Sequence, residues 1–178
     1  MIILGVDPGT IITGFGIIKN NNNQLARIAA GIIKLPSTKS LPDKLKIIYD
    51  ELDKLIKKYS PDEFAIETAF YGKNVQSAMK IGYARGVSLL AAVNNKVPVS
   101  EYSPREIKKS VVGNGSASKE QVSFMIKTIL SLKKTEMKTD ESDALATALC
   151  HAFRMKKPSA KIKNWKAFAD AFPDRIIN

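Results

Sequence analysis

The apolar run at the start of the chain constrains the fold most. Residues Ile2–Val6 carry no polar side chain, and the run stops at Asp7-Pro8-Gly9, which is a turn sequence. A strand that is apolar on both faces has to be covered on both sides. We therefore expect this run to be a central strand of a sheet flanked by helices, with the Asp7 carboxylate at its end.

The segments that follow predict a mixed α/β sheet. Two strands, Phe15–Lys19 and Ala26–Leu35, are separated by the turn-forming asparagines Asn20–Asn23, so the first three strands form an antiparallel meander. Short strands at Glu63–Glu67 and Val97–Tyr102 then alternate with helices, which is typical of parallel strands. The helices are predicted between Ser40 and Tyr59, Asn74 and Asn95, Pro104 and Val112, Ser118 and Leu132, and Thr139 and Lys156.

The length and the tail predict one domain with an appendage. A chain of 178 residues suits one compact unit, which we assign to residues 1–156. Residues 157–178 form a basic tail, where Trp165, Phe168 and Phe172 recur on one face of a short amphipathic helix ended by Pro173. That face either packs on the domain or docks a partner.

The charge balance favours a nucleic-acid partner. Lys and Arg number 28 against 17 acids, which gives a net charge of +11, and such a field attracts polyanions. No predicted helix is of the Lys-rich membrane-surface type, and the longest uncharged apolar stretch, Gly86–Val93, is far too short to span a bilayer. Cys150 is the single cysteine, which excludes an intramolecular disulfide and suits a cytoplasmic location.

Four acidic residues predict a metal site. Asp7 and Glu67 end two predicted strands, and in open α/β sheets sites form at the carboxyl ends of strands. Asp140 and Asp143 are three residues apart at the start of the last helix and share one face. Carboxylates without His or Cys select Mg²⁺ or Mn²⁺. Two such ions, ~3.5–4 Å apart, can hold the attacking and leaving oxygens of a phosphodiester displacement.

Each acid also has a purely structural explanation. Asp7 can form a turn, Glu67 can be a solvated strand end, and Asp140 with Asp143 can cap the last helix and interact with its dipole. His151, the only histidine, lies ~16 Å along that helix from Asp140 and cannot join the cluster. We expect it in the core or on the surface, and no Ser-His-Asp or Cys-His arrangement is credible.

Five segments, taken together, resemble the RuvC family of Holliday-junction resolvases. They occur in the family's order and spacing between Met1 and about Phe153: LeuGlyValAspProGly, AlaIleGlu with PheTyrGlyLysAsn, GlyTyrAlaArgGly, ValValGlyAsnGlySerAlaSerLys and AspGluSerAspAlaLeuAlaThrAla. The resemblance implies a ribonuclease H-like nuclease domain and a homodimer that cuts four-way DNA junctions with Mg²⁺. It maps the catalytic carboxylates onto Asp7, Glu67, Asp140 and Asp143.

The resemblance also implies DNA contacts and partners. Lys108 and Lys119 match family lysines near the phosphate path, Lys109 adds charge beside them, and Phe70 matches an aromatic position next to the active site. Lys73, Lys80 and Arg85 lie on or next to the long second helix. A branch-migration complex of RuvA and RuvB is implied as a partner. Thr68 stands where many relatives carry Gln, which affects only local contacts.

Two rival functions and one packing question remain. ValAspProGlyThr also resembles the phosphate loop of actin-like ATPases, but those need a second AspXGly loop and a second lobe, and AspXGly occurs once here. A non-catalytic junction-binding protein of the same fold stays open, although the complete carboxylate set argues against it. Ala78, Gly82 and Gly86 form a small-residue stripe that suits either a dimer contact or packing on the protein's own sheet.

Overall fold

Five strands and five helices make up the part of the chain that the computed structural model describes, residues 1–21, 24–68, 75–132 and 139–155. The strands are β1 (Ile2–Asp7), β2 (Ile12–Asn21), β3 (Gln24–Lys34), β4 (Glu63–Glu67) and β5 (Val99–Tyr102). The helices are α1 (Leu41–Tyr59), α2 (Val75–Asn94), α3 (Pro104–Val112), α4 (Lys119–Ile129) and α5 (Thr139–Met155).

The strands form one sheet in the order β3-β2-β1-β4-β5. β1, β2 and β3 pair antiparallel, whereas β1 with β4 and β4 with β5 pair parallel. The predicted α/β class, with an antiparallel start followed by parallel strands, is confirmed. β1 is the central strand that its apolar sequence requires.

Alternating side chains of β1 enter two separate cores. Leu4 and Val6 pack into the core formed with α1 and α2, whereas Ile3 packs into the core formed with α3, α4 and α5. All three side chains are fully buried. Successive side chains of a strand point to opposite faces of the sheet, so every residue of β1 before Asp7 has to be apolar to fit the two cores.

Helix α5 lies unusually close to the sheet because glycines face it. A Cβ atom on Gly5 would lie 2.6 Å from the amide nitrogen of Ala148, and one on Gly16 would lie 2.8 Å from that of Leu145. A Cβ on Gly14 would lie 2.9 Å from the carbonyl carbon of Asp140. Only glycine permits this approach, so the helix rests on the backbone of β1 and β2.

Serine side chains cap the starts of three helices. Ser40, Ser103 and Ser118 are the N-caps of α1, α3 and α4, and the last two form capping boxes with Glu106 and Gln121. Several boundaries differ from expectation. β2 begins three residues earlier than predicted, and β5 begins two residues later. α4 ends at Ile129 and not at the predicted Leu132, because Ser131 adopts a positive φ of 50°.

Some predictions fall outside the described residues. These concern Phe70, Lys73, part of the asparagine turn and the whole tail with Trp165, Phe168 and Phe172. None of the described helices has the length and apolar character needed to cross a membrane.

Candidate active site

The sheet brings Asp7 and Glu67 to the same edge. β1 and β4 are parallel neighbours, with Val6 opposite Ile66, so the next residue of each strand emerges beside the other. Glu67 is paired with Tyr102 of β5. The amide and hydroxyl of Thr68 both donate to the carbonyl oxygen of Tyr102, at 2.8 and 3.3 Å. Thr68 therefore fixes the end of the strand that carries Glu67.

Helix α5 supplies the other two carboxylates from its first turns. Asp140 and Asp143 point from the N-terminal end, where the helix dipole favours negative charge. Asp7 is paired with Gly14, and Gly14 in turn faces the backbone of Asp140. The glycine contact between helix and sheet thus sets the position of Asp140 relative to Asp7.

Three of the carboxylates share one cleft with two lysines. Asp7, Glu67, Asp143, Lys108 and Lys119 line a cleft of about 300 Å³ beside α3 and α4. Asp140 borders an adjoining cleft of about 670 Å³ on the side of the turn at Gly9. The predicted carboxylates therefore come together at one rim of the sheet, with Asp140 between two openings.

The gathered negative charge changes the pKa of the two strand-end acids. Burial raises the pKa of Asp7 to about 7, helped by the charges of Asp143 and Asp140 and opposed by Lys119. Burial also raises the pKa of Glu67 to about 8, with Asp7 and Asp143 adding to the effect. Acids with raised pKa values in a cleft mark a site where positive charge is in deficit.

Lys119 partly offsets that deficit. Its ammonium group lies 2.9 Å from a carboxylate oxygen of Asp143. This hydrogen bond is the main reason that the pKa of Lys119 is raised. Lys119 therefore occupies one face of the carboxylate group that a metal ion would also use.

A buried threonine holds the turn that follows Asp7. The hydroxyl of Thr13 donates to the carbonyl oxygen of Gly9 at 2.8 Å and accepts from the Gly9 amide at 3.3 Å. Thr13 is fully buried. The turn is thus fixed from the β2 side, which limits the freedom of Asp7.

The donor set fits a hard divalent cation, although it is not gathered into a finished shell. Within the described ranges no group of three or more Asp, Glu, His or Cys side chains is close enough to enclose a metal ion. The available donors are carboxylate oxygens, which Mg²⁺ and Mn²⁺ prefer. Burial is the main cause of the raised pKa values of Asp7 and Glu67, and nearby carboxylates raise them further in spite of Lys119.

The predicted DNA-contact residues do not all lie at the carboxylate cleft. Lys108 and Lys119 lie in the carboxylate cleft, as expected from their positions. Lys109 instead lines another cleft, with Glu106 and Arg154 on the far side of α3. Phe70 and Lys73 lie outside the described residues. Lys80 is exposed on α2, whereas Arg85 is ion-paired with Glu101.

His151 is a core residue. It is 3% exposed, and its Nδ1 lies 2.8 Å from the Tyr102 hydroxyl. Burial lowers the pKa of the imidazole, which favours the neutral ring. Cys150 is fully buried with its thiol 3.3 Å from the Ser110 hydroxyl, as its apolar sequence context predicted.

The sequence analysis missed the residues that position the site. Gly5, Gly14 and Gly16 were not singled out, nor was Thr13. The alternation of Gly14 and Gly16 within a strand is a usable signal, because glycines on one face of a strand often mark a close backbone approach. The hydroxyl contact of Thr13 has no comparable signature, since it depends on the path of the turn.

Comparisons with known proteins identify one family. Residues 3–151 match the sequence model of the family described as crossover junction endodeoxyribonuclease RuvC. A protein of that name from Salinibacter ruber is 46% identical over 177 residues, covering 99% of each chain. One from Saccharophagus degradans is 48% identical over 150 residues, covering 84% of this chain and 86% of that one.

A solved structure shows the same architecture. The structure of Thermus thermophilus RuvC in complex with a Holliday junction substrate superposes with a TM-score of 0.83 at 30% identity. It covers 88% of this chain and 95% of that one. The likeness confirms the expected ribonuclease H-like fold.

Proposed function

This chain belongs to the RuvC family of crossover junction endodeoxyribonucleases, and we propose that it resolves four-way DNA junctions with Asp7, Glu67, Asp140 and Asp143 as its catalytic carboxylates. The observation that carries the assignment of these residues is their convergence at one sheet edge. Asp7, Glu67 and Asp143 share a cleft with Lys108 and Lys119. Asp140 lines the cleft beside the turn at Gly9, and its charge acts on Asp7. Members of this family are metal-dependent nucleases that act in recombination and repair.

The basic and acidic residues of the site have different roles. Lys108 and Lys119 attract the DNA phosphates into the cleft. The four carboxylates would hold two divalent cations, Mg²⁺ with Mn²⁺ as a substitute. Such ions would supply positive charge at the scissile phosphate and would lower the pKa of an attacking water. The raised pKa values of Asp7 and Glu67 support this assignment, because a bound cation favours their ionised forms.

The Asp7→Asn variant tests the catalytic assignment. It should bind a synthetic four-way junction at least as tightly as the wild type, because a negative charge facing phosphate is removed, and it should not cut it. Asp50→Asn, which changes an acid on α1 paired with Lys46, is the matched control and should cut normally. Cleavage by Asp7→Asn at the wild-type rate would show that the carboxylates are structural, and absence of cleavage by the wild type with Mg²⁺ would favour a binding protein.

We also propose a homodimer formed through the outer face of α2. Paired nicks on a two-fold symmetric junction require two active sites. Among the described residues, no atom lies within 4 Å of a Cβ added to Gly82 or Gly86, so these two glycines do not pack on the protein's own sheet. Large apolar side chains share this exposed face, namely Val75, Met79, Tyr83, Leu90 and Val93.

The dimer is tested by analytical ultracentrifugation. Met79→Glu should shift the protein to a monomer and slow paired cleavage, while its melting temperature at low concentration stays unchanged. Lys58→Glu, at the exposed end of α1, is the control for an added acid. A wild-type protein that is monomeric at micromolar concentration would contradict the dimer.

The remaining partner and location assignments rest on the family. We propose that the branch-migration proteins RuvA and RuvB cooperate with this chain and that it acts in the cytoplasm, where its DNA substrate lies. Co-purification of the full chain with RuvA and RuvB on junction DNA tests the first assignment. Removal of the tail after Lys157 then separates docking by the tail from docking by the nuclease domain.

A further inference from the structure

A second cleft has no role in the function above beyond the Asp140 carboxylate in its lining. It has a volume of about 670 Å³ and lies between the turn after β1, the start of α1 and the first half of α2. It shares no lining residue with the cleft that contains Lys108 and Lys119. Asp140 lies in this cleft, and Asp7, Glu67 and Asp143 lie in the other.

The lining alternates cationic and apolar groups. Lys44 and Lys80 are its two cations, and among the described residues neither forms an ion pair with an acidic side chain. The large apolar groups are Ile11, Ile12, Leu41 and Ile81. Ile11 is 76% exposed at the rim, although it is a large apolar residue four positions from Asp7.

This chemistry matches a sugar-phosphate strand. A DNA strand presents phosphates, which lysines bind, separated by deoxyribose rings, which offer apolar surface. An exposed apolar side chain beside a reacting phosphate has a ready partner in such a ring. Neither feature is required to stabilise the fold, because both cores are closed without them.

We propose that this cleft holds the continuation of the cut strand on the Asp140 side of the scissile phosphate, with Lys44 and Lys80 each contacting a phosphate. The proposal rests on the proposed function and extends it with a second phosphate-binding region that is separate from Lys108 and Lys119. The strand then lies against α1 and α2 on one side of the carboxylates and against α3 and α4 on the other. Two such anchors hold the scissile phosphate more firmly than one.

Salt dependence of junction binding gives the first test. The logarithm of the association constant falls with the logarithm of salt concentration by ~0.9 for each phosphate contact. The Lys44→Gln/Lys80→Gln variant should therefore reduce the slope by ~1 to 2 and bind the junction several-fold more weakly. Lys46→Gln/Lys54→Gln removes the same charge from the exposed face of α1, where the two lysines pair with Asp50 and Glu51, and should leave the slope nearly unchanged.

Neutral phosphate analogues identify the contacted positions. Methylphosphonate is placed at single positions within three nucleotides of the cut, on either side, and junction affinity is measured with each variant. At the contacted phosphates the substitution should weaken binding of the wild type several-fold but add nothing to the effect of Lys44→Gln/Lys80→Gln. In the control variant the two effects should add.

The outcomes separate this inference from the proposed function. If the wild type binds and cuts junctions but no methylphosphonate position couples to Lys44 and Lys80, the strand does not enter this cleft and the inference is wrong. Coupling on both sides of the cut would also overturn it, because the strand would then have no fixed direction through the cleft. If the wild type does not cut junctions at all, the proposed function fails first.

Discussion

Replacing Asp7 with Asn should make the metal-free protein more stable at alkaline pH while removing its activity. The folded protein holds Asp7 at a pKa of about 7, above the usual 3.8. Between these pH values the folded state keeps a proton that the unfolded chain releases. The free energy of unfolding of the wild type therefore falls as pH rises through this window, and the loss is complete above the folded pKa.

The magnitude follows from the size of the rise. One pH unit corresponds to ~1.4 kcal/mol, so an increase from 3.8 to about 7 sets an upper limit of ~4 kcal/mol. The cleft is open to solvent and the side chain is only partly buried, which lowers the effect. We expect Asp7→Asn to raise the free energy of unfolding by ~2 kcal/mol at about pH 8.5 and by nearly nothing at about pH 4.

Urea denaturation with a chelator present measures this directly at both pH values. Asp50→Asn is the control, because that carboxylate lies on α1 in a surface ion pair with Lys46 and should change stability little. Adding Mg²⁺ at the higher pH should stabilise the wild type much more than Asp7→Asn. A gain for Asp7→Asn of equal size at both pH values would refute the electrostatic explanation, and so would a loss at the higher pH.

Three further predictions address the geometry and the DNA contacts. Gly14→Ala should slow single-turnover cleavage strongly and lower the melting temperature, because the added Cβ would lie 2.9 Å from the Asp140 carbonyl carbon. If this variant cuts at the wild-type rate, α5 can shift freely. Lys119→Gln should tighten Mg²⁺ binding to the free protein, because it removes the 2.9 Å ion pair to Asp143. The same variant should weaken junction binding in a salt-dependent way. Calorimetry that finds an unchanged Mg²⁺ affinity would contradict the idea that Lys119 and Mg²⁺ compete for Asp143. Phe70→Ala should slow cleavage far more than it weakens binding. The reason is that an aromatic ring can replace the base stacking lost at the branch, which is worth ~1–3 kcal/mol per base. A variant that cuts at the normal rate would show that Phe70 is a packing residue.

The apolar and turn patterns predicted the sheet well, because a strand that is buried on both faces, such as β1, has to lie at the centre of the sheet. The same patterns placed Asp7 and Glu67 at adjacent strand ends. The early start of β2 was missed because Gly14 lies just before the predicted strand, and glycines are weak strand formers in isolation. Their presence there follows from the contact with α5, which is a tertiary effect.

The surroundings of the carboxylates were less accessible to sequence reasoning. The ion pair between Lys119 and Asp143 joins residues 24 positions apart, and the cleft of Lys44 and Lys80 joins three distant segments. Lys108 and Lys109 are adjacent in the sequence but line different clefts. Neighbouring helix positions point about 100° apart, and only the packing of α3 decides which of them meets the carboxylates.

The backbone contact between α5 and the sheet gives a practical route to a more robust enzyme. Gly5 and Gly14 face backbone atoms of the helix, so the spacing of Asp140 from Asp7 does not depend on how side chains in the opposite layer fill space. Substitutions in the α1 and α2 core, around Ile48 and Leu52, should therefore change thermal tolerance without changing turnover. A library aimed at heat resistance belongs in that layer, and the glycine layer should be kept constant.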